Sequence, residues 1–246
     1  MLEGYFDDSG THGDARVVVW GGFVGTIDQW AGLDARWRQK LKEPLPGKPR
    51  LEKFGLADCR WGVGDFEIYS APERDLVQAE FRQIIIDASV IGLAYAVDRQ
   101  AYENLLTNEA RIFFGDSEMM CFGECFNGAI ECARANFPDH SEMALHFDRG
   151  RHSKKLSTII EIVDDNYRGI PAIKSVGFDK VVDCTPLQAA DILATENYWD
   201  ALAFLTDGER RAHFRHFLRN CNTAGYLLDY SYLTITLEAN GFAVAR

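Results

Sequence analysis

Positive charge is what this sequence has least of. Its 246 residues carry 26 Lys and Arg against 37 Asp and Glu, a formal charge of −11. Proteins that grip a phosphate backbone over a broad front need the opposite balance. Any nucleic-acid contact is therefore expected as a local basic patch on an acidic body. Alternatively, the surplus carboxylates include a cluster that a divalent cation neutralises. Six cysteines are present, but no CxxC pair and no Cys/His zinc spacing, which leaves a zinc module without ligands. Cys121, Cys125 and Cys132 recur near one face of a predicted helix and read as small buried thiols. No basic segment followed by a long apolar run comes after Met1, and apolar stretches such as 90–97 are too short to span a bilayer. The expectation is a soluble, cytoplasmic protein. Internal repeats, low-complexity tracts and long linkers are missing as well. With 47% hydrophobic residues, the chain can bury the core of one large domain or two small ones.

What is present is an alternation of strand and helix patterns. A short strand over 4–7 and a long β-rich run over 16–26 flank a turn at 11–14, predicting a hairpin. Trp30, Leu33, Trp37 and Leu41 recur at helical spacing over 28–41, and "EPLPGKP" ends that helix. Residues 51–70 are irregular and aromatic, with Phe54, Trp61, Phe66 and Tyr69. A helix is expected over 72–88, a strand over 90–97, and helices over 99–106 and 117–135. Strands at 142–148 and 172–178 alternate with helices at 154–167, 186–205 and 206–219. The run "YSYLTITLE" over 230–238 reads as a β-rich tail. Hairpin strands first and strand–helix alternation later predict an α/β protein, a mixed sheet with helices packed on it and its later strands parallel.

Three carboxylates stand out in this frame. Asp7 ends the first apolar strand in "YFDDSG", and Asp148 ends the strand "EMALHFD". Strand alternation puts Asp148 on the face of Ala144 and His146, opposite Met143, Leu145 and Phe147. If the two strands are parallel neighbours, both acids lie at the C-terminal rim of the sheet, where ligands of α/β folds commonly bind. The third acid is in the helix "TPLQAADILATENYW". Thr185, Pro186 and Gln188 there read as an N-cap, a first-turn proline and a capping box. Asp191 falls near the apolar stripe of that helix, between Ala190 and Ala194, whose small side chains permit close approach to the sheet. A lone ionised carboxylate there costs several kcal/mol, roughly the stability margin of a domain. An Arg, a ring of backbone donors, a raised pKa or a metal can compensate. Three converging carboxylates suit Mg or Mn, with Ca as a further option. The alternative is two strand-ending turns and one salt-bridged helix acid.

The combination of "YFDDSG", "HFDRG" and "LQAADILA" resembles the domain of unknown function 3800 family, over about residues 4–205. That family typically opens with Tyr-x-Asp-Glu-Ser-Gly, closes with a Leu-Gln-x-Ala-Asp helix, and is placed among ribonuclease H-like folds. The resemblance implies a five-stranded ribonuclease H-like sheet in a single domain over 1–246. It also implies an insertion at 27–89 and a C-terminal extension over 206–246. Asp7, Asp148 and Asp191 match the family's acids, and Asp8 stands where the family usually has Glu. Gly55 in "FGLAD" replaces a histidine common among relatives. A fourth acid is expected from the helix after the third strand, with Glu118 and Glu124 as candidates.

The function implied is a divalent-metal-dependent nuclease, with Asp7, Asp148 and Asp191 as catalytic metal ligands at a site of one or two Mg or Mn ions. Asp8, Glu118 and Glu124 are further candidate ligands. His146, His152, Lys154 and Lys155 surround Asp148 in sequence and are candidates for orienting a phosphate. Arg211, Arg215 and Arg219 repeat every fourth residue and offer a cationic face for RNA or DNA. The alternatives are a non-catalytic ribonuclease H-like scaffold that recognises a regulatory partner, which the acidic composition and the aromatic stretch from Trp61 to Tyr69 favour, and a metal hydrolase of small phosphorylated molecules.

Overall fold

The computed structural model describes residues 1–149 and 171–244. Its centre is a six-stranded mixed sheet in the order β5-β4-β1-β2-β3-β6. Strands β1 (Leu2–Ser9), β2 (Val17–Thr26) and β3 (Ile91–Asp98) pair antiparallel, as the predicted hairpin requires. Strand β4 (Glu142–Asp148) runs parallel to β1, and β5 (Ala172–Asp179) runs parallel to β4. The expected helix over 154–167 and residues His152, Lys154 and Lys155 lie outside the described residues.

Helices cover both faces. On one, α6 (Ser117–Asn136) packs against β2 and β3, burying Trp20, Tyr95 and Phe147 with Phe122, Phe126 and all three helix cysteines. The cysteines are thus core thiols, as their spacing implies. Two short helices precede α6: α4 (Arg99–Leu105) and α5 (Asn108–Phe114). The opposite face carries α7 (Thr185–Leu205), flanked by α1 (Ile27–Lys42) and α3 (Ala71–Ala88). Between α1 and α3 the aromatic segment forms a short helix, α2 (Leu56–Trp61). Among the described residues no helix is long and apolar enough to cross a membrane.

Two features seat α7 on the sheet. At Gly21 of β2 an added Cβ would stand 3.0 Å from the Cα of Ala194, so the strand glycine and the helix alanine together allow near backbone contact. The second is Gln188, which is 1% exposed. Its Oε1 accepts from Trp37 Nε1 and from the Phe54 N–H, both at 2.9 Å, and its Nε2 donates to the Val181 carbonyl at 3.1 Å. One amide therefore ties α1 and the aromatic segment to α7.

Several expectations are corrected. Cys184, not Thr185, occupies the N-cap of α7, and it makes no side-chain cap. The Thr185 hydroxyl instead donates to Asp34 Oδ1 at 2.5 Å, and Gln188 is spent as just described. The sheet has six strands rather than five, because "TAGYLL" forms β6 (Thr223–Leu228), parallel to β3. The tail read as β-rich is helix α9 (Tyr230–Ala239). Its Thr and Ile residues suggest a strand, but Asp229 caps the helix by accepting the Tyr232 N–H, and Leu233 and Leu237, one turn apart, are buried over α4. The helix expected from residue 206 begins later, as α8 (Ala212–Asn220), because Asp207 takes a positive φ of 51° and breaks the run.

Replacing Gln188 with Leu keeps the volume and strips two buried donors of their acceptor. The expected cost is about 2–4 kcal/mol, measured by urea denaturation, with unfolding remaining cooperative.

Candidate metal centre

Strand β1 outruns its partner here. Pairing with β4 ends at Phe6↔Phe147, so Asp7, Asp8 and Ser9 stand at the rim, held on one side by β2 alone. Gly10 follows at φ +73°, where any Cβ would lie 2.1 Å from the Val17 carbonyl oxygen and 2.6 Å from the Tyr198 ring. The "DDSG" turn therefore needs glycine both for its left-handed backbone and for clearance.

Asp7 and Asp148 project to the α7 face, as the alternation of both strands predicts. Asp8 alternates to the other face. Even so, one carboxylate oxygen from each of Asp7, Asp8 and Asp148 lies within 4.8 Å of the others. Three acids at that separation repel one another strongly. Asp7 is buried, and burial pushes its carboxyl well above the usual range, reinforced by the charges of Asp191, Asp8 and Asp148. The Asp8 N–H, donating to Asp7 Oδ1 at 2.8 Å, offsets only part of this. Burial and the Asp8 charge also raise Asp148, against the Val181 N–H donating to its Oδ1 at 3.3 Å. Asp8 Oδ2 accepts the Thr11 hydroxyl at 2.7 Å.

Asp191 lies beside Asp7 but outside the 4.8 Å group. Its charge bears on Asp7 and Asp148, yet it is not part of the close trio. Its Oδ2 accepts the Leu56 N–H at 2.9 Å and its Oδ1 accepts the Thr195 hydroxyl at 3.1 Å. The aspartate, one turn beyond Gln188, thus holds the first residue of α2. Burial raises its carboxyl too, with these two donors pulling the other way. Of the other candidate acids, Glu118 is buried in the first turn of α6 and Glu124 accepts the Tyr226 hydroxyl at 2.5 Å. Neither belongs to the trio. His146 stacks on Tyr5, ring centroids 4.6 Å apart, and its Nδ1 pairs with Asp179 at 2.9 Å.

The arginine face also divides. Arg215 and Arg219 are exposed on α8, but Arg211 turns inward to Glu196, Nη1 to Oε2 3.3 Å, while its guanidinium lies over the Trp199 ring at 5.0 Å. Glu196, fully buried on α7, also meets Arg60 at 3.0 Å, Arg82 at 2.6 Å and His213 at 3.2 Å. Burial alone would raise its pKa; His213, Arg82 and Arg60 overcome that and hold it at about 2. Sequence reasoning does not find this carboxylate, because its partners come from three separate stretches of chain, at 60, 82 and 211–213.

The trio opens into a cleft of about 490 Å³. One side is the β1 turn with Asp7, Asp8 and His12, another is α2 with Ala57, Arg60 and Trp61, and α7 contributes Thr195, Tyr198 and Trp199. The donor set is all-oxygen and anionic, with the carboxyls of Asp7 and Asp148 both raised by burial and neighbouring charge, so it fits a hard divalent cation. No protein-family model matches the chain, and no curated protein matches it either.

Two measurements test this electrostatic account. Asp7→Asn removes a buried repelling charge, so metal-free protein should gain about 1–2 kcal/mol at pH 7, read as a higher urea midpoint. Glu196 acts with the opposite sign. Its folded pKa lies below the ordinary value of 4.5, so its stabilisation is complete above that value and is lost as pH falls toward 2. In Glu196→Gln, the slope of stability against pH across that window should be shallower than in the wild type.

Proposed function

We propose that the chain is a divalent-metal-dependent phosphodiesterase acting on nucleic acid. The observation that carries this reading is the convergence of Asp7, Asp8 and Asp148 within 4.8 Å at the rim of the sheet. Such an arrangement of like charges is costly in a metal-free fold and is repaid by a cation. The strand order β3-β2-β1-β4-β5 within the sheet, three antiparallel strands followed by two parallel ones, supports the ribonuclease H-like placement suggested by "YFDDSG" and "LQAAD".

Asp7, Asp8 and Asp148 would hold the ion. When bound, a divalent cation polarises a phosphate oxygen and lowers the pKa of water. The protein's own groups set the conditions for that chemistry. Asp7 ligates as the carboxylate, and its raised pKa makes metal affinity fall as the solution is acidified. Thr11 orients Asp8, and the backbone N–H of Val181 orients Asp148. Asp191 acts as a positioning residue, fixing α2 and its side of the cleft by its bond to Leu56.

Calorimetric titration of Mn or Mg into the protein tests the reading, followed by cleavage assays on RNA and DNA oligonucleotides. Asp7→Asn and Asp148→Asn should each weaken metal binding roughly a hundredfold or more and abolish cleavage in the folded protein. Asp191→Asn should weaken metal binding less than either. If the wild type binds no divalent ion with or without an oligonucleotide, the metal-dependent reading fails and a non-catalytic scaffold replaces it.

A further inference from the structure

The aromatic segment between α1 and α3 sorts its side chains sharply. Phe54, Phe66 and Tyr69 are buried, whereas Trp61 is 67% exposed. Phe54 packs at a tilt against Phe81, 4.2 Å between centroids, and meets Trp37 edge-on, and Phe66 joins Phe54 and Tyr69. Core formation accounts for those three. It does not account for Trp61, which ends α2 and lines the acid cleft together with Ala57 and Arg60, one turn and one residue before it. Trp61 instead adds its surface to that of Tyr198 and Trp199 around one cleft, and a contiguous aromatic patch rimmed by polar groups marks a binding surface.

Across the cleft, α7 presents Tyr198 and Trp199, both about two turns beyond Asp191. Their rings meet edge-on at 5.2 Å, His12 lies 6.5 Å from Tyr198, and Arg211 is stacked over Trp199. Arg60 brings a guanidinium to the same cleft, and its Nη1 has no hydrogen-bond partner among the described residues. Because Arg60, Arg82 and Arg211 share the single carboxylate of Glu196, positive charge is in excess beside this aromatic side.

We propose that the cleft is a stacking platform for the bases of a single-stranded nucleic acid, with Trp61 as its principal surface and Arg60 beside the phosphates. The proposal rests on reading the adjoining acids as a phosphodiester-cleaving centre and names the form of substrate that centre receives. Three observations favour an unpaired strand over a duplex. Base faces are available for stacking only when the strand is unpaired. The cleft, at about 490 Å³, has the size of a small-ligand site and admits a nucleotide but not a double helix. The molecule's net charge of −11 opposes a long electrostatic track along a duplex, whereas stacking needs few phosphate contacts.

Fluorescence anisotropy tests this, using a short labelled oligothymidylate and a labelled duplex in a chelating buffer, so that neither metal nor cleavage enters. The single strand should bind more tightly than the duplex. Trp61→Ala should weaken it roughly 5- to 100-fold, with an unchanged melting temperature because this side chain is exposed. The salt dependence should be shallow, with a log–log slope of about −2, equivalent to roughly three phosphate contacts. Duplex binding as tight as single-strand binding overturns the proposal. So does Trp61→Ala binding like the wild type, or a wild type that binds no single strand at all. Metal calorimetry on the same preparations separates the two readings. Trp61-dependent strand binding without any metal site preserves the platform and removes the cleavage centre. An Asp7-dependent metal site without Trp61-dependent binding does the reverse.

Discussion

Near-contact of backbones at Gly21 and Ala194 is the constraint on which the rest of the molecule depends. With any larger pair there, α7 would stand off from β2 and Asp191 would no longer bear electrostatically on Asp7. The same seating sets Gln188 deep enough to take the indole N–H of Trp37 and the N–H of Phe54. Gln188 and Asp191, one turn apart, then bind two backbone donors of the aromatic segment, at Phe54 and Leu56. A helix packed on a sheet has thereby become the frame that orients a third layer of chain over the acid rim.

That helix also separates two charge imbalances. Asp191 lies beside the carboxylate trio, where negative charge is in excess and burial drives pKa values up. Little more than a turn later, Glu196 stands alone among three arginines and a histidine, and its pKa is driven down. Each group is unfavourable by itself. Placed on one helix, they put an electropositive region against an electronegative one along a single cleft. A phosphate and a divalent cation call for that polarity.

Much of this was readable in the chain, and the limits of reading were physical. Asp7 and Asp148 could be placed at one rim because each closes an apolar strand and parallel pairing brings those ends together. Asp8 was legible only as a further candidate ligand, since strand alternation sends it to the opposite face and the early end of the β1–β4 ladder lets its carboxylate join the others. The bond from Asp191 to Leu56 escaped because α2, six residues long, is too short to show a period. In the tail, β-branched residues outweighed a helical pair at Leu233 and Leu237 that tertiary burial decides. The Glu196 cluster draws on positions 60, 82, 211 and 213, and no local pattern announces it.

The trio itself has a history in folding. Asp7 and Asp8 come from the first strand and Asp148 from the fourth, with two strands and six helices of chain between them. In a disordered chain Asp148 is far on average from the adjacent pair Asp7 and Asp8, so its repulsion with them appears only when β4 docks beside β1. Contacts of such long sequence separation form late, after the cost of closing the intervening loop has been met. An ion held by the trio would therefore act after the transition state, leaving the rate of folding nearly unchanged and prolonging the lifetime of the folded molecule.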